Sequence, residues 1–134
     1  MVEKIEHIGI AVKNLTEANQ VYEKLLGVAP YKIESVESEG VSTSFFRIGE
    51  SKIELLEASH PESPIAKFIE KKGEGIHHIA FAVKDIEKEI ERLQKEGFEI
   101  INEEPKIGAD KQRICFLHPK SSQGVLIELC QKID

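Results

Sequence analysis

Two histidines and two glutamates stand out because their types and spacing recur. Aligning Ile5–Leu15 with Ile76–Ile86 sets His7 on His78, Ala11 on Ala82 and Val12-Lys13 on Val83-Lys84. Aligning Lys52–Leu56 with Leu126–Cys130 sets Glu54 on Glu128. The His-to-Glu separations are 47 and 50 residues, so both coincidences fall in the same order at nearly the same distance. That is the signature of two copies of one supersecondary unit. Two imidazoles and two carboxylates converging from four strands make an N₂O₂ donor set for a divalent ion. This mixture suits zinc, cobalt, nickel, iron or manganese better than a soft-metal thiolate site. Four protein ligands on an octahedral ion leave two positions, enough to chelate a substrate through two oxygens.

The elements that must position these residues are readable from pattern. Residues 5–13 alternate and are rich in Ile and Val, which predicts a strand. Asn14 or Thr16 can cap a helix from Leu15 that Gly27 ends. Strands are expected at 29–38, 41–49 and 52–58. The second copy predicts a strand at 76–84, a helix at 86–96 stopped by Gly97, and strands near 98–103, 112–118 and 124–131. Strand alternation puts His7 on one face with Gly9 and Ala11, and His78 with Ala80 and Ala82; His77 points the other way. A mid-strand glutamate between apolar neighbours, as at Glu54 and Glu128, is costly to bury unless paired or ligated.

The expected class is α+β: two βαβββ modules in tandem, forming a curled mixed sheet around a metal cleft. Module one spans residues 1–60 and module two 74–134. The linker between them, 61–73, carries a short helix from Ile65 to Lys72 and is too short to separate independent domains. The 134 residues therefore form one domain, 1–134. Lys plus Arg number 18 against 24 Asp plus Glu, a net charge of −6 that argues against a nucleic-acid surface. No apolar run approaches the ~18 residues that span a bilayer, and no targeting signal is visible, so no membrane partner is expected. Cys115 and Cys130 each sit inside an apolar run and read as buried thiols rather than a disulfide, which fits a cytoplasmic home.

The assembled residues resemble the vicinal oxygen chelate, or glyoxalase, superfamily over the whole chain. Closer in, His7-Ile-Gly-Ile-Ala-Val, Gly40-Val-Ser, Ile53-Glu-Leu-Leu, Ser63-Pro-Ile-Ala66, Ile76-His-His-Ile, Glu104-Pro-Lys-Ile-Gly108, Phe116-Leu-His-Pro-Lys120 and Gly124-Val-Leu-Ile-Glu-Leu129 are similar to the methylmalonyl-CoA epimerase family. The resemblance implies His7, Glu54, His78 and Glu128 as metal ligands, with cobalt the associated metal, and an acyl-CoA substrate. Some members carry Gln at the position of Glu54. Some bacterial members place an acid/base Glu in the strand after Gly40-Val41, where this chain reads Ser42-Thr43-Ser44.

Epimerisation between a carboxylate and a thioester needs an acid and a base on opposite faces of the α-carbon. Glu128 is the expected base, with Glu54 its counterpart. Lys106, Arg113 and Lys120 are candidate contacts for the phosphates or carboxylate of coenzyme A substrates. A homodimer is expected, twofold symmetry being the commonest. The competing readings are a glyoxalase I-type lactoylglutathione lyase, which uses the same ligand set, and a metal-free binding protein of the same fold. A ring-cleaving dioxygenase fits less well, because it needs only two His and one carboxylate.

Overall fold

The computed structural model describes residues 1–134. In chain order the elements are β1 (Val2–Ala11), α1 (Leu15–Leu26), β2 (Lys32–Val36), β3 (Val41–Ile48), β4 (Ser51–Ala58), α2 (Pro64–Lys72), β5 (Gly75–Val83), α3 (Ile86–Lys95), β6 (Lys106–Ile107), β7 (Gln112–Leu117) and β8 (Ile127–Lys132). The chain divides into two compact units, Ile8–His77 and Met1–His7 with His78–Asp134, so β1 and β5 contribute residues to both. No helix is long and apolar enough to cross a membrane.

In the unit Ile8–His77, α1 starts where Asn14 accepts the Glu17 backbone N–H at 3.0 Å and stops at left-handed Gly27. Its apolar stripe of Leu15, Ala18, Tyr22 and Leu26 packs on Val12, Phe46 and Leu55. Strands β2, β3 and β4 pair antiparallel, with Phe45 opposite both Lys32 and Glu54 and Thr43 opposite Leu56. Alternation therefore sets Thr43, Phe45 and Glu54 on the face away from α1. Helix α2 begins at Pro64, one residue earlier than its sequence pattern indicates, because Ser63 caps it through the Ala66 N–H at 3.1 Å. It packs Ile65, Phe68 and Ile69 against Ala11, Val41 and Leu56.

The other unit repeats the order of strand, helix and antiparallel strands. Strand β8 runs parallel to β5 and antiparallel to β7, which pairs antiparallel with the two-residue β6, so this sheet is mixed. Helix α3, capped by Asp85, lays Ile86, Ile90 and Leu93 on Val83, Cys115, Leu117 and Leu129. The strand expected at 98–103 is reduced to one bridge, Ile100 to Leu117. Asn102 explains the loss: its side-chain oxygen takes the Phe116 N–H at 2.9 Å, occupying a site a backbone carbonyl would otherwise fill. Pairing with β7 resumes only after Pro105, at Lys106.

Candidate metal centre

His7, His78 and Glu128 come from β1, β5 and β8 and meet inside one unit. His7 Nε2 lies 3.0 Å from His78 Nε2 and 3.7 Å from Glu128 Oε1, and His78 Nε2 lies 3.2 Å from the same oxygen. All three residues are buried. The parallel register explains the convergence, since Ala80 on β5 faces Glu128 on β8 and Ala82 faces Cys130. Ala80 packs with Ile114, Cys130 and Phe116, so the small side chain beside His78 keeps the surrounding wall low. Phe116, opposite Glu128 on β7, holds the His78 ring edge-on with centroids 5.9 Å apart.

Electrostatics distinguish this cluster from an ordinary buried polar patch. Burial alone would push the Glu128 carboxyl up, but the His7 and His78 imidazoles outweigh it and hold the group well below the usual carboxylate range. Glu128 in turn acts on Cys115, whose thiol is pushed up to about 12, mainly by burial and secondarily by that charge. Two imidazole Nε2 atoms at 3.0 Å, beside an ionised carboxylate, want a shared cation. The donor set fits one: bonds of about 2.1 Å from a divalent ion separate adjacent ligands by about 3.0 Å in octahedral geometry.

The remaining expected site residues are distributed as follows. Glu54 belongs to the other unit, where it is buried at the middle of β4 opposite Phe45. Beside it in sequence, Lys52 is also buried, with its ammonium 5.9 Å from the Phe45 ring centroid, a burial that no lysine-on-the-surface rule anticipates. Thr43 is 1% exposed and its hydroxyl finds no hydrogen-bond partner. His77 sits edge-on to Phe68 of α2, at 4.9 Å. Lys106 stands exposed on β6. Arg113 forms a two-pronged ion pair with Glu87 and draws that carboxyl down, and Lys120 does the same to Glu99 at 3.0 Å.

Sequence reading missed Glu6. Its buried carboxylate lies 2.6 Å from His7 Nδ1. The only available signal was an acidic residue directly preceding a ligand-type histidine. Neither cysteine is in a disulfide and both are buried, as their apolar settings indicate.

Comparison with known proteins adds a second line. A profile of the glyoxalase/bleomycin resistance protein/dioxygenase superfamily matches residues 6–116. The ethylmalonyl-CoA/methylmalonyl-CoA epimerase of Cereibacter sphaeroides is 39% identical over 98% of this chain and 99% of its own length. Among solved structures, a hypothetical protein from Bacillus halodurans aligns with a TM-score of 0.94 at 49% identity, covering 98% of this chain and 95% of that one. A methylmalonyl-CoA epimerase bound to methylmalonyl-CoA and an ammonium ion aligns with a TM-score of 0.95 at 34% identity, covering 98% and 96%.

Proposed function

Starting from the fact that this chain belongs to the methylmalonyl-CoA epimerases of the glyoxalase superfamily, we propose that it is an isomerase interconverting the two 2-epimers of methylmalonyl-CoA. The observation that carries the reading is the buried cluster of His7, His78 and Glu128. In this reading these three residues and Glu54 hold one divalent ion, with cobalt first among zinc, nickel, manganese and iron. Such an ion, when bound, supplies a Lewis acid that stabilises the enolate oxygen of the thioester.

Everything else falls to the protein. Glu128 takes the α-proton, and Glu54, its repeat counterpart, having left the ion and taken a proton from water, gives that proton to the other face; the two carboxyls then reset by exchange with solvent. Supporting the first role is the place of Glu128, buried on β8 with Oε1 3.2 Å from His78 Nε2. A strongly stabilised carboxylate is a weak base, so removal depends on the α-proton being acidified by the enolate's stabilisation. Phe116, edge-on to His78, screens one side of the cluster from water. Lys106, Arg113 and Lys120 meet the phosphates of coenzyme A, with Arg113 and Lys120 exchanging Glu87 and Glu99 for the substrate's anions. The protein acts in the cytoplasm as a homodimer, without nucleic-acid or membrane partners.

Two histidines with one carboxylate is also the donor set of iron dioxygenases. Buried Glu54, matched to Glu128 by the repeat, has no task in that chemistry and favours the epimerase. The test is to give the protein one epimer of methylmalonyl-CoA and follow appearance of the other, alongside the hemithioacetal of methylglyoxal and glutathione. Epimer interconversion is the expected result. Turnover of the hemithioacetal without it would replace the reading by a lactoylglutathione lyase.

A further inference from the structure

His7 has two ring nitrogens, and the structure engages them differently. Nε2 faces His78 and Glu128, at 3.0 and 3.7 Å. Nδ1 lies 2.6 Å from Glu6 Oε1. At that distance the carboxylate oxygen is placed to accept the proton carried on Nδ1. A proton fixed there leaves the Nε2 lone pair directed into the cluster, which is the tautomer a metal ligand requires. The bond is short and buried at both ends, with Glu6 6% and His7 4% exposed, and a buried carboxylate is tolerated only where such a partner compensates its desolvation. Cys130 is near as well, since Glu6, His7 and Cys130 each bring a ligand atom within 4.8 Å of the others. The Cys130 thiol donates to the Phe81 carbonyl at 3.5 Å, a longer contact than the 2.6 Å one that ties Nδ1 to Glu6.

We infer that Glu6 is a positioning residue: its carboxylate fixes the tautomer and ring orientation of His7, so that Nε2 is offered to a divalent ion, and the negative charge behind the ring strengthens that nitrogen as a donor. The metal half of this inference rests on the reading of His7, His78 and Glu128 as ligands; the tautomer half does not. It also explains why an acidic residue is kept in the buried part of β1, where strand patterning alone would place an apolar one.

The experiment uses ¹⁵N-labelled full-length protein, wild type against Glu6→Ala and Glu6→Gln. Glu89→Gln, which neutralises another buried carboxylate of the same unit, is the control. The tautomer is read in metal-free protein from two-bond ¹H–¹⁵N correlations of His7, and Co²⁺ affinity is read by chelator competition. Wild type should show the Nδ1–H form. Glu6→Ala should shift toward Nε2–H and weaken Co²⁺ binding by roughly 10–100-fold. Glu6→Gln keeps an acceptor oxygen without the charge, so it should retain the tautomer with a smaller loss of affinity. The Glu89→Gln control should stay within about twofold of wild type. Wild-type tautomer and affinity in Glu6→Ala would overturn the inference, as would an affinity loss that Glu89→Gln shares. If Glu6→Ala does not fold, the isosteric Glu6→Gln decides: unchanged Co²⁺ affinity there removes the proposed role of the charge. A wild-type protein that binds no Co²⁺, yet shows the Nδ1–H tautomer, would defeat the metal reading and leave the Glu6–His7 pairing standing.

Discussion

Replacing Gly40 with Ala tests how the chain is held as it enters β3, the strand that lies beside Glu54. Gly40 has φ +65°, and an added Cβ would sit 2.7 Å from Ser63 Cβ and 3.1 Å from His60 Nε2. Left-handed backbone costs a non-glycine residue about 1–2 kcal/mol. Ser63 cannot retreat, because it is fully buried and its hydroxyl caps α2. Displacing that cap costs about 1 kcal/mol more. The sum is on the order of 2–3 kcal/mol, or a fall in melting temperature of roughly 8–12 °C at about 4 °C per kcal/mol for a domain of this size. Gly27→Ala supplies the baseline, since it shares a positive φ of 75° but meets nothing within 4 Å. It should carry the backbone strain alone, on the order of 1 kcal/mol or about 4 °C. Thermal unfolding followed by circular dichroism measures both. Melting temperatures of the two variants within about 2 °C of each other would refute the packing argument.

Four further outcomes are expected. His7→Ala and His78→Ala should abolish retention of divalent metal through gel filtration while His77→Ala, whose ring packs on Phe68, retains it; elemental analysis of the eluted protein decides. Glu128→Gln should keep part of the metal but lose α-proton exchange by about 10²-fold or more at matched occupancy, with Glu54→Gln milder; near-normal exchange in metal-loaded Glu128→Gln would exclude it as the base. Arg92, and secondarily the chain's amino group, hold the Glu89 carboxyl below its ordinary 4.5, so its ion pairs add stability above that pH and lose it as pH falls through the lowered value; Glu89→Gln should melt lower than wild type at pH 7, with the gap narrowing as pH falls below 4.5, as scanning calorimetry would show. With the Cys115 thiol pushed up to about 12 and both cysteines buried, the folded protein should resist alkylation at pH 8 and label fully once unfolded, which mass spectrometry reads directly.

How much was legible in the sequence depends on the kind of signal. Helix α1 is bounded as its residues indicate, because Asn14 and Gly27 are local start and stop chemistry that needs no tertiary context. The convergence of His7, His78 and Glu128 was legible for a different reason: the repeat fixes phase in two strands at once, and phase fixes which face a side chain takes. What failed depended on contacts between side chain and backbone at a distance. Residues 98–103 have strand-like composition, and nothing local reveals that Asn102 will take the Phe116 N–H in place of the ladder. Glu6 was invisible because alternation assigns neighbours in sequence to opposite faces, whereas its carboxylate reaches back to the ring of the next residue. Lys52 likewise reads as a surface lysine, yet it is buried with its ammonium 5.9 Å from the Phe45 ring centroid.

The central claim, metal-dependent movement of a proton at the α-carbon, is tested most directly by dissolving methylmalonyl-CoA with the purified protein in heavy water and following the α-proton signal by NMR, with and without prior chelation. The account predicts deuterium incorporation together with loss of epimeric purity, collapse of both on chelation, and recovery on adding cobalt. Exchange that continues at the same rate in fully demetallated protein would contradict it.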